Sequence, residues 1–270
     1  MKFSLKGLLA IAAAAIVLTV LTGCGEKAVD MNKIKVGVIA GAEEQVAEVA
    51  ARVAKERYNL EVQLVTFSDY VTPNAALNDG SIDANAFQHK PYLDRQIADR
   101  GYKLAIVGNT FVYPIAGYSK QITTLDELAT GSRVAVPNDP TNLGRSLLLL
   151  QQQGLITLRD DIGLLATVRD ITDNPKNLRI MELDAAQLPR ALDDVALAII
   201  NTTYASSINL TPEKDGIFVE DKNSPYVNLL VARQDNVNAE NVQNFLKAYQ
   251  TDDVYKAASE IFHGGAVKGW

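Results

Sequence analysis

The sequence predicts an α/β protein of two lobes, with two chain crossings between them and a ligand cleft where they meet. Strand-like apolar runs alternate with helical patterns along most of the chain, which is typical of α/β folds. This alternation restarts after residues 109–114, and two helical patterns follow a strong strand pattern near the C-terminus. We therefore expect crossings near residues 112–116 and 223–226.

The first lobe is predicted from residues 33–112. Residues 34–40 form an apolar run typical of a buried strand, residues 43–58 carry apolar side chains at helical spacing, and residues 61–67 alternate like a second strand. This strand, helix, strand order implies parallel pairing through a right-handed crossover, with ligands favoured at the carboxyl ends of the strands. Further patterns indicate a helix at 74–78, a strand at 83–87, a helix at 91–100 and a strand at 103–107.

The second lobe is predicted from residues 113–225. Its patterns indicate helices at 125–129, 143–153 and 185–192, and strands at 133–136, 178–183, 196–200 and 217–220. A strong strand pattern at 226–232 and helical patterns at 239–249 and 254–262 follow. We assign residues 226–270 to the first lobe.

The N-terminus is typical of an export signal. Lys2 and Lys6 precede an apolar run at 8–21, which is shorter than the roughly 20 residues that a membrane-spanning helix needs. The tetrapeptide Leu-Thr-Gly-Cys that ends at Cys24 resembles the bacterial lipobox, which is cut before its acylated cysteine. An ordinary signal with an incidental cysteine is the alternative, but Cys24 is the only cysteine in the chain.

We therefore expect a signal peptide at 1–23, a lipidated Cys24 and a tether at 24–32. The protein would then be lipid-anchored in the cell envelope, facing the periplasm or the cell exterior. The net charge of −6 argues against nucleic-acid binding. The motifs of serine hydrolases, zinc peptidases and phosphate-binding loops do not occur in the sequence, so we predict no catalytic residues, no metal and no cofactor.

Several sequence runs resemble one known family. They are Asp-Ala-Asn-Ala-Phe-Gln-His-Lys-Pro-Tyr-Leu at 83–93, Val-Pro-Asn-Asp-Pro-Thr-Asn-Leu-Gly-Arg at 136–145 and Ile-Asn-Thr-Thr-Tyr-Ala at 200–205, with shorter runs at 117–119, 224–228 and 264–270. These runs resemble the methionine-binding lipoproteins of ABC importers, the NlpA-type family. The resemblance implies a periplasmic-binding-protein architecture, methionine in the interlobe cleft, and a membrane permease and its ATPase as partners. It leaves the choice between L- and D-methionine open.

The predicted polar site residues suit the two charges of an amino acid. Arg145 is expected to hold the carboxylate, because a guanidinium makes two parallel charge-assisted hydrogen bonds. Asn142 precedes it where a helix opens, and backbone N–H groups there favour the same anion. Asn201 and Asn228 resemble the ligand-holding asparagines of the family. Without the resemblance, a surface salt bridge, a capped turn and a core amide explain Arg145, Asn201 and Asn228 as well.

Four residues are predicted to surround the ligand side chain: Tyr70, Phe87, His89 and Tyr92. A thioether sulfur packs near aromatic ring edges with a gain of about 0.3–1.5 kcal/mol per contact. Three of these residues lie where a strand runs into a helix that begins near Pro91, so they can crowd one strand end. Ordinary core packing is the alternative for all four. A ligand that bridges these residues and those of the second lobe would favour closure of the lobes.

Two other function classes remain open at this point. One is a surface-exposed adhesin or interaction protein, and the other is an extracytoplasmic enzyme such as a hydrolase or transferase. An acid–base pair of His89 with Asp83 or Asp94 could serve an enzyme, but no recognisable nucleophile or metal cluster accompanies it. Tight binding of a free amino acid would favour import over both.

Overall fold

Two β-sheets with helices packed against them organise the fold. The computed structural model describes residues 30–221 and 224–270. The predicted signal peptide, Cys24, the tether up to residue 29 and Asn223 of the predicted second crossing lie outside the described residues. Met31–Trp270 form one compact unit that contains both sheets.

The described residues contain thirteen strands. They are β1 (Lys33–Ile39), β2 (Glu61–Phe67), β3 (Ala84–His89), β4 (Leu104–Val112), β5 (Ala116–Tyr118), β6 (Arg133–Pro137), β7 (Thr157–Leu158), β8 (Ile171–Asp173), β9 (Arg179–Leu183), β10 (Leu197–Ile200), β11 (Phe218–Val219), β12 (Val227–Arg233) and β13 (Val267–Lys268).

The same residues contain nine α-helices and four short 3-10 helices. The α-helices are α1 (Ala42–Tyr58), α2 (Thr72–Asn78), α3 (Lys90–Arg100), α4 (Pro140–Gln152), α5 (Leu188–Ala191), α6 (Thr202–Ser206), α7 (Pro212–Asp215), α8 (Glu240–Tyr249) and α9 (Asp252–Ile261). The 3-10 helices are Leu125–Glu127, Gly163–Leu165, Val168–Asp170 and Ala185–Gln187.

The first lobe is built on a six-stranded sheet in the order β13-β4-β12-β3-β1-β2. Strand β1 pairs in parallel with both β2 and β3, as the strand, helix, strand pattern predicts. Strand β12 returns late in the chain and pairs antiparallel with β3 and β4. Helices α8 and α9 then pack against α1, and the three helices share one apolar core with the sheet.

The second lobe is built on a five-stranded sheet in the order β11-β5-β10-β6-β9. Strands β10, β6 and β9 are parallel, and β5 runs antiparallel to β10 and β11. Helix α4 covers this sheet with Leu143, Leu147 and Leu150, which are buried in the core of the lobe. A small hairpin of β7 and β8 lies beyond α4.

The two lobes meet along a third apolar cluster. Ile39, Phe87 and Tyr92 from the first lobe pack in the same cluster as Ile200 and Tyr204 from the second. The carboxyl ends of β1, β2 and β3 on one side and of β6 and β10 on the other therefore face a common cleft. Such strand ends are where open α/β sheets bind ligands.

The predicted α/β two-lobed fold is confirmed, with differences in individual elements. Strand β4 continues to Val112, beyond the predicted end at residue 107. Helix α4 begins three residues early, because the Asp139 side chain caps it by accepting the Asn142 N–H. The helix predicted at 185–192 divides into a 3-10 turn and the short α5. The lobe boundaries at 112, 113, 225 and 226 stay a prediction.

Within residues 30–221 and 224–270, none of the helices has both the length and the apolar character needed to cross a membrane.

Candidate functional site

A small cavity of about 20 Å³ lies in the cleft between the two lobes. The structure brings all eight predicted site residues to its wall: Tyr70, Phe87, His89, Tyr92, Asn142, Arg145, Asn201 and Asn228. Their role in binding a ligand stays a prediction.

Four further wall residues were not predicted: Gln88, Tyr113, Thr202 and Thr203. Gln88 lies between two predicted residues, and the two threonines directly follow Asn201. Their place in the recognisable runs could have indicated them. Tyr113 lies in the connection from β4 to β5, and no sequence pattern marked it.

His89 ends strand β3 and caps helix α3. Its Nδ1 accepts the backbone N–H of Tyr92 at 3.2 Å, so the ring proton is on Nε2. Nε2 lies 3.2 Å from the Asn142 Oδ1 and can donate to it across the cleft. Burial, and then the nearby Arg145 charge, lower the pKa of His89 to about 3. The imidazole is therefore neutral at physiological pH and joins one lobe to the other.

The amide of Asn142 is held by three neighbours. Its Nδ2 donates to the Asp139 Oδ2 at 2.9 Å, and its Oδ1 accepts from the Asn201 Nδ2 at 3.0 Å as well as from His89. The Asn201 Oδ1 is buried and has no hydrogen-bond partner among the described residues. Buried acceptors are almost always paired, so this oxygen is suited to accept from a ligand donor.

Arg145 is 3% exposed and is fixed in place by Glu220. Its Nε donates to the Glu220 Oε1 at 2.8 Å, and its Nη2 donates to the Glu220 Oε2 and to the Tyr113 carbonyl oxygen. The guanidinium also lies over the Tyr226 ring, 4.3 Å from its centroid. Arg145 is thus in a buried ion pair rather than a surface salt bridge, and its Nη1 takes no part in these hydrogen bonds.

Aromatic rings form another part of the cavity wall. The ring centroids of Tyr70, Phe87 and Tyr92 lie 5.9–6.3 Å apart, and the Tyr92 hydroxyl donates to the Tyr70 carbonyl oxygen at 2.7 Å. Asn228 pairs with His89 in the antiparallel register of β12 and β3, and its Nδ2 donates to the Phe87 carbonyl oxygen at 3.2 Å. The cavity therefore offers both an apolar surface and fixed polar groups.

Buried amides support this wall from behind. Gln88 Nε2 donates to the Asn74 Oδ1 at 2.6 Å and to the Asn85 Oδ1 at 3.0 Å, and Asn74 Nδ2 donates back to the Gln88 Oε1 at 2.7 Å. All three residues are essentially inaccessible to solvent. A satisfied buried network of this kind makes the end of β3 rigid.

The residues considered for a catalytic acid–base pair make other hydrogen bonds and ion pairs in the structure. Asp83 accepts the backbone N–H of Lys35 at 2.8 Å, and Asp94 pairs with Lys90 at 2.5 Å. Both ring nitrogens of His89 are taken up by Tyr92 and Asn142. In the part of the chain that the structure describes, no group of three or more His, Cys, Asp or Glu side chains could hold a metal ion.

The low pKa of His89 predicts a pH-dependent stability. The unfolded imidazole binds a proton near its ordinary value of 6.5, but the folded one does so only near 3. The free energy of unfolding should therefore decrease as the pH falls below about 6.5, by up to about 1.4 kcal/mol per pH unit. His89→Asn, which can still cap α3, should lack this component in urea unfolding between pH 4.5 and 7.5.

His263→Asn is the matched control for this measurement. His263 is exposed and adopts a φ of 50°, a conformation that asparagine tolerates. This variant should show the same pH dependence as the wild type. An unfolding free energy whose pH dependence is the same in His89→Asn and the wild type would contradict a neutral, buried His89.

The chain is similar to known proteins over both lobes. A family model described as NlpA lipoprotein matches residues 34–270. The probable D-methionine-binding lipoprotein MetQ of Vibrio cholerae is 83% identical over 270 residues, which are 100% of both chains. A crystal structure of the methionine-binding protein MetQ is 72% identical, with a TM-score of 0.89, and covers 89% of this chain and 99% of that one. A nutrient-binding protein from Burkholderia cenocepacia, bound to methionine, is 49% identical, with a TM-score of 0.86, and covers 88% of this chain and 100% of its own.

Proposed function

The chain belongs to the NlpA lipoprotein family, and from this premise we propose that it binds methionine in the interlobe cleft as the substrate-binding lipoprotein of an ABC importer. One observation carries the proposal. The wall of one interlobe cavity combines aromatic rings with a buried arginine and an unpartnered amide oxygen, which are the groups that a zwitterion with an apolar side chain requires.

Arg145 is the proposed partner of the ligand carboxylate. Glu220 holds its Nε and Nη2, so the guanidinium is already oriented before a ligand enters and loses little side-chain entropy on binding. Nη1 remains to donate to the carboxylate.

Asn201 and Asn228 are the proposed partners of the ligand ammonium. The Asn201 Oδ1 lacks a partner among the described residues, and an ammonium provides the donor it needs. Asn228 gives its Nδ2 to the Phe87 carbonyl oxygen, so its carbonyl end is the part that can face a cation. Neutral acceptors suit this task because they impose no excess charge on a buried site.

The aromatic group of Tyr70, Phe87 and Tyr92 is the proposed site of the ligand side chain. A flexible thioether adapts to an irregular apolar surface, and its sulfur gains from contact with ring edges. Two of these rings meet edge to face, Tyr92 against Phe87, with centroids 6.0 Å apart. Leucine would fill similar space but would lack the sulfur contacts.

Closure of the lobes would enclose the ligand and give the protein the closed conformation that docks on the permease. His89 and Tyr70 of the first lobe and Asn142, Arg145 and Asn201 of the second would then contact one ligand, which stabilises the closed form by its higher affinity for it. The partner ATPase would supply the energy of transport. Several acyl chains on Cys24 would hold the protein at the membrane of the cell envelope, because one chain binds only marginally.

Calorimetric titration of the whole chain, purified in detergent micelles and freed of bound ligand, tests the proposal. We expect L-methionine or D-methionine to bind at least about tenfold more tightly than leucine. Asn201→Ala should weaken methionine binding by about 10- to 150-fold, since it removes a charge-assisted hydrogen bond worth about 1.5–3 kcal/mol.

Asn138→Ala is the matched control, because Asn138 is an exposed asparagine at the end of the neighbouring strand β6. It should bind like the wild type. Absence of binding for both enantiomers would reject methionine and return the adhesin and enzyme classes to consideration. Equal affinity for leucine and methionine would reject the specificity but keep an amino-acid site.

A further inference from the structure

A buried carboxyl group joins the two lobes next to the cavity. Glu43 lies in the first turn of α1 in the first lobe and is 2% exposed. The hydroxyl of Thr203, in α6 of the second lobe, donates to its Oε1 at 2.5 Å. Its Oε2 is also buried and has no hydrogen-bond partner among the described residues. The proposed contacts to the ligand do not explain an acid at this interface.

Among the described residues, no cationic side chain is near enough to Glu43 to lower its pKa, and the first turn of α1 favours an anion there only to a small extent. Tyrosines from four elements face it: Tyr70 after β2, Tyr113 after β4, Tyr204 in α6 and Tyr249 in α8. Burial raises the pKa of each of them, so they are neutral below pH 9. The neighbouring Glu44 accepts from the Thr66 hydroxyl at 2.7 Å instead.

A protonated carboxyl group fits this environment better than an ionised one. Transfer of an ionised carboxylate into an apolar interior is costly unless a cation or several donors meet it, and the group then binds a proton instead. Burial raises the pKa of Glu43 from 4.5 to about 8, and the Thr203 hydrogen bond lowers it in part.

Thr203 connects this acid to the cavity. Both Thr203 and Tyr70 lie on the cavity wall, so the hydrogen bond between Thr203 and Glu43 ties the buried acid to that wall. Opening of the lobes would separate Thr203 from Glu43 and expose the carboxyl group to water. The contact therefore exists only when the wall of the cavity is assembled.

We propose that Glu43 is a positioning residue for ligand binding, which in its protonated form holds Thr203 in place on the cavity wall, so that closure around the ligand takes up one proton from solvent. The proton returns to solvent when the lobes open. This inference rests on the proposed function, because methionine is the ligand whose binding would report it.

The direction of the pH dependence follows from the raised pKa in the closed form. Below about 4.5 the carboxyl group is protonated in both forms, and closure needs no proton. As the pH rises toward 8, closure must draw a proton from increasingly dilute solution, so the affinity decreases. His89 acts in the opposite direction and only below about 6.5, because burial lowers its pKa to about 3 in the closed form and closure can therefore only release a proton from it.

Titration of the whole chain in detergent micelles with L-methionine, from pH 6.5 to 7.5, where His89 is neutral in both forms, tests the proposal. The dissociation constant of the wild type should rise by up to about tenfold per pH unit, as expected for uptake of one proton. Glu43→Gln keeps an acceptor for Thr203 without a titrating group, so its dissociation constant should stay nearly constant and be lower than that of the wild type at pH 7.5. Thr203→Val should bind more weakly than Glu43→Gln at every pH.

Glu48→Gln, an exposed substitution in the same helix, should follow the wild-type pH profile. Parallel profiles for the wild type and Glu43→Gln would overturn the inference while leaving methionine binding intact. If neither the wild type nor any variant binds L-methionine, the proposed function fails. The free energy of unfolding of the ligand-free protein then tests the raised pKa of Glu43 by itself. The wild type must then lose stability relative to Glu43→Gln as the pH rises from 5.5 to 8.5, and a constant difference would overturn the inference.

Discussion

Arg145→Ala is expected to weaken methionine binding by at least about 100-fold and to lower the free energy of unfolding by about 3–5 kcal/mol. The loss of binding follows from removal of the only proposed cationic partner of the ligand carboxylate. The loss of stability follows from Glu220, whose side chain is 11% exposed and would remain as a buried carboxylate without its cation. Titration calorimetry measures the first effect, and urea unfolding of the ligand-free protein measures the second.

A double variant separates these two effects. Adding Glu220→Gln to Arg145→Ala removes the uncompensated charge, so much of the stability should return while methionine still fails to bind. Arg190→Ala, at an exposed position in the second lobe, should change neither quantity. Wild-type affinity in Arg145→Ala would show that Arg145 serves only its ion pair with Glu220.

The main elements of the fold were predictable because they have strong periodic patterns. The apolar run of β1, the helical spacing in α1 and the alternation in β2 each follow from the face that must be buried. The short elements β5, β7 and β13 have two or three residues each, too few to show a period. They form because neighbouring strands offer them hydrogen bonds, as β4 does for β13. These pairings join residues that are distant in sequence, so a local sequence pattern cannot predict them.

In the candidate site too, the residues that a local sequence pattern marks were predictable, and their distant partners were not. The predicted wall residues lie at strand ends in runs that resemble one family, so position and motif indicated them together. Their partners were not indicated, because Glu220 lies 75 residues from Arg145 and Thr203 lies 160 residues from Glu43. Pairs that form only when the chain crosses between lobes have no sequence pattern of their own.

Gly144 carries the second large prediction. It lies in α4 between Asn142 and Arg145, and a methyl group at this position would clash with the Leu164 carbonyl oxygen and lie 3.0 Å from the Ala166 nitrogen. Both contacts are to backbone of the segment that follows α4 and packs on it, so neither can turn away as a side chain could. Glycine is thus required here for close approach of the two segments and not for a special φ.

Gly144→Ala should therefore destabilise the protein by about 1–3 kcal/mol, which is typical of an overpacked core. The sign of this change in unfolding free energy distinguishes close packing from helix propensity, because the same substitution in an unconstrained helix interior stabilises by about 1 kcal/mol. Methionine affinity should fall by at least about tenfold in the same variant. Displacement of α4 would move Asn142 away from His89 and Arg145 away from Glu220.

Ser146→Ala in the same helix is the control for this prediction. Ser146 is fully buried and its hydroxyl has no hydrogen-bond partner among the described residues, so its removal should leave stability unchanged or raise it slightly. Thermal unfolding and methionine titration of both variants give the comparison. A gain of stability with unchanged methionine affinity in Gly144→Ala would contradict this prediction. The close packing of Leu164 on α4 would then not position Asn142 and Arg145. Their hydrogen bonds to Asp139 and Glu220 would have to position them instead.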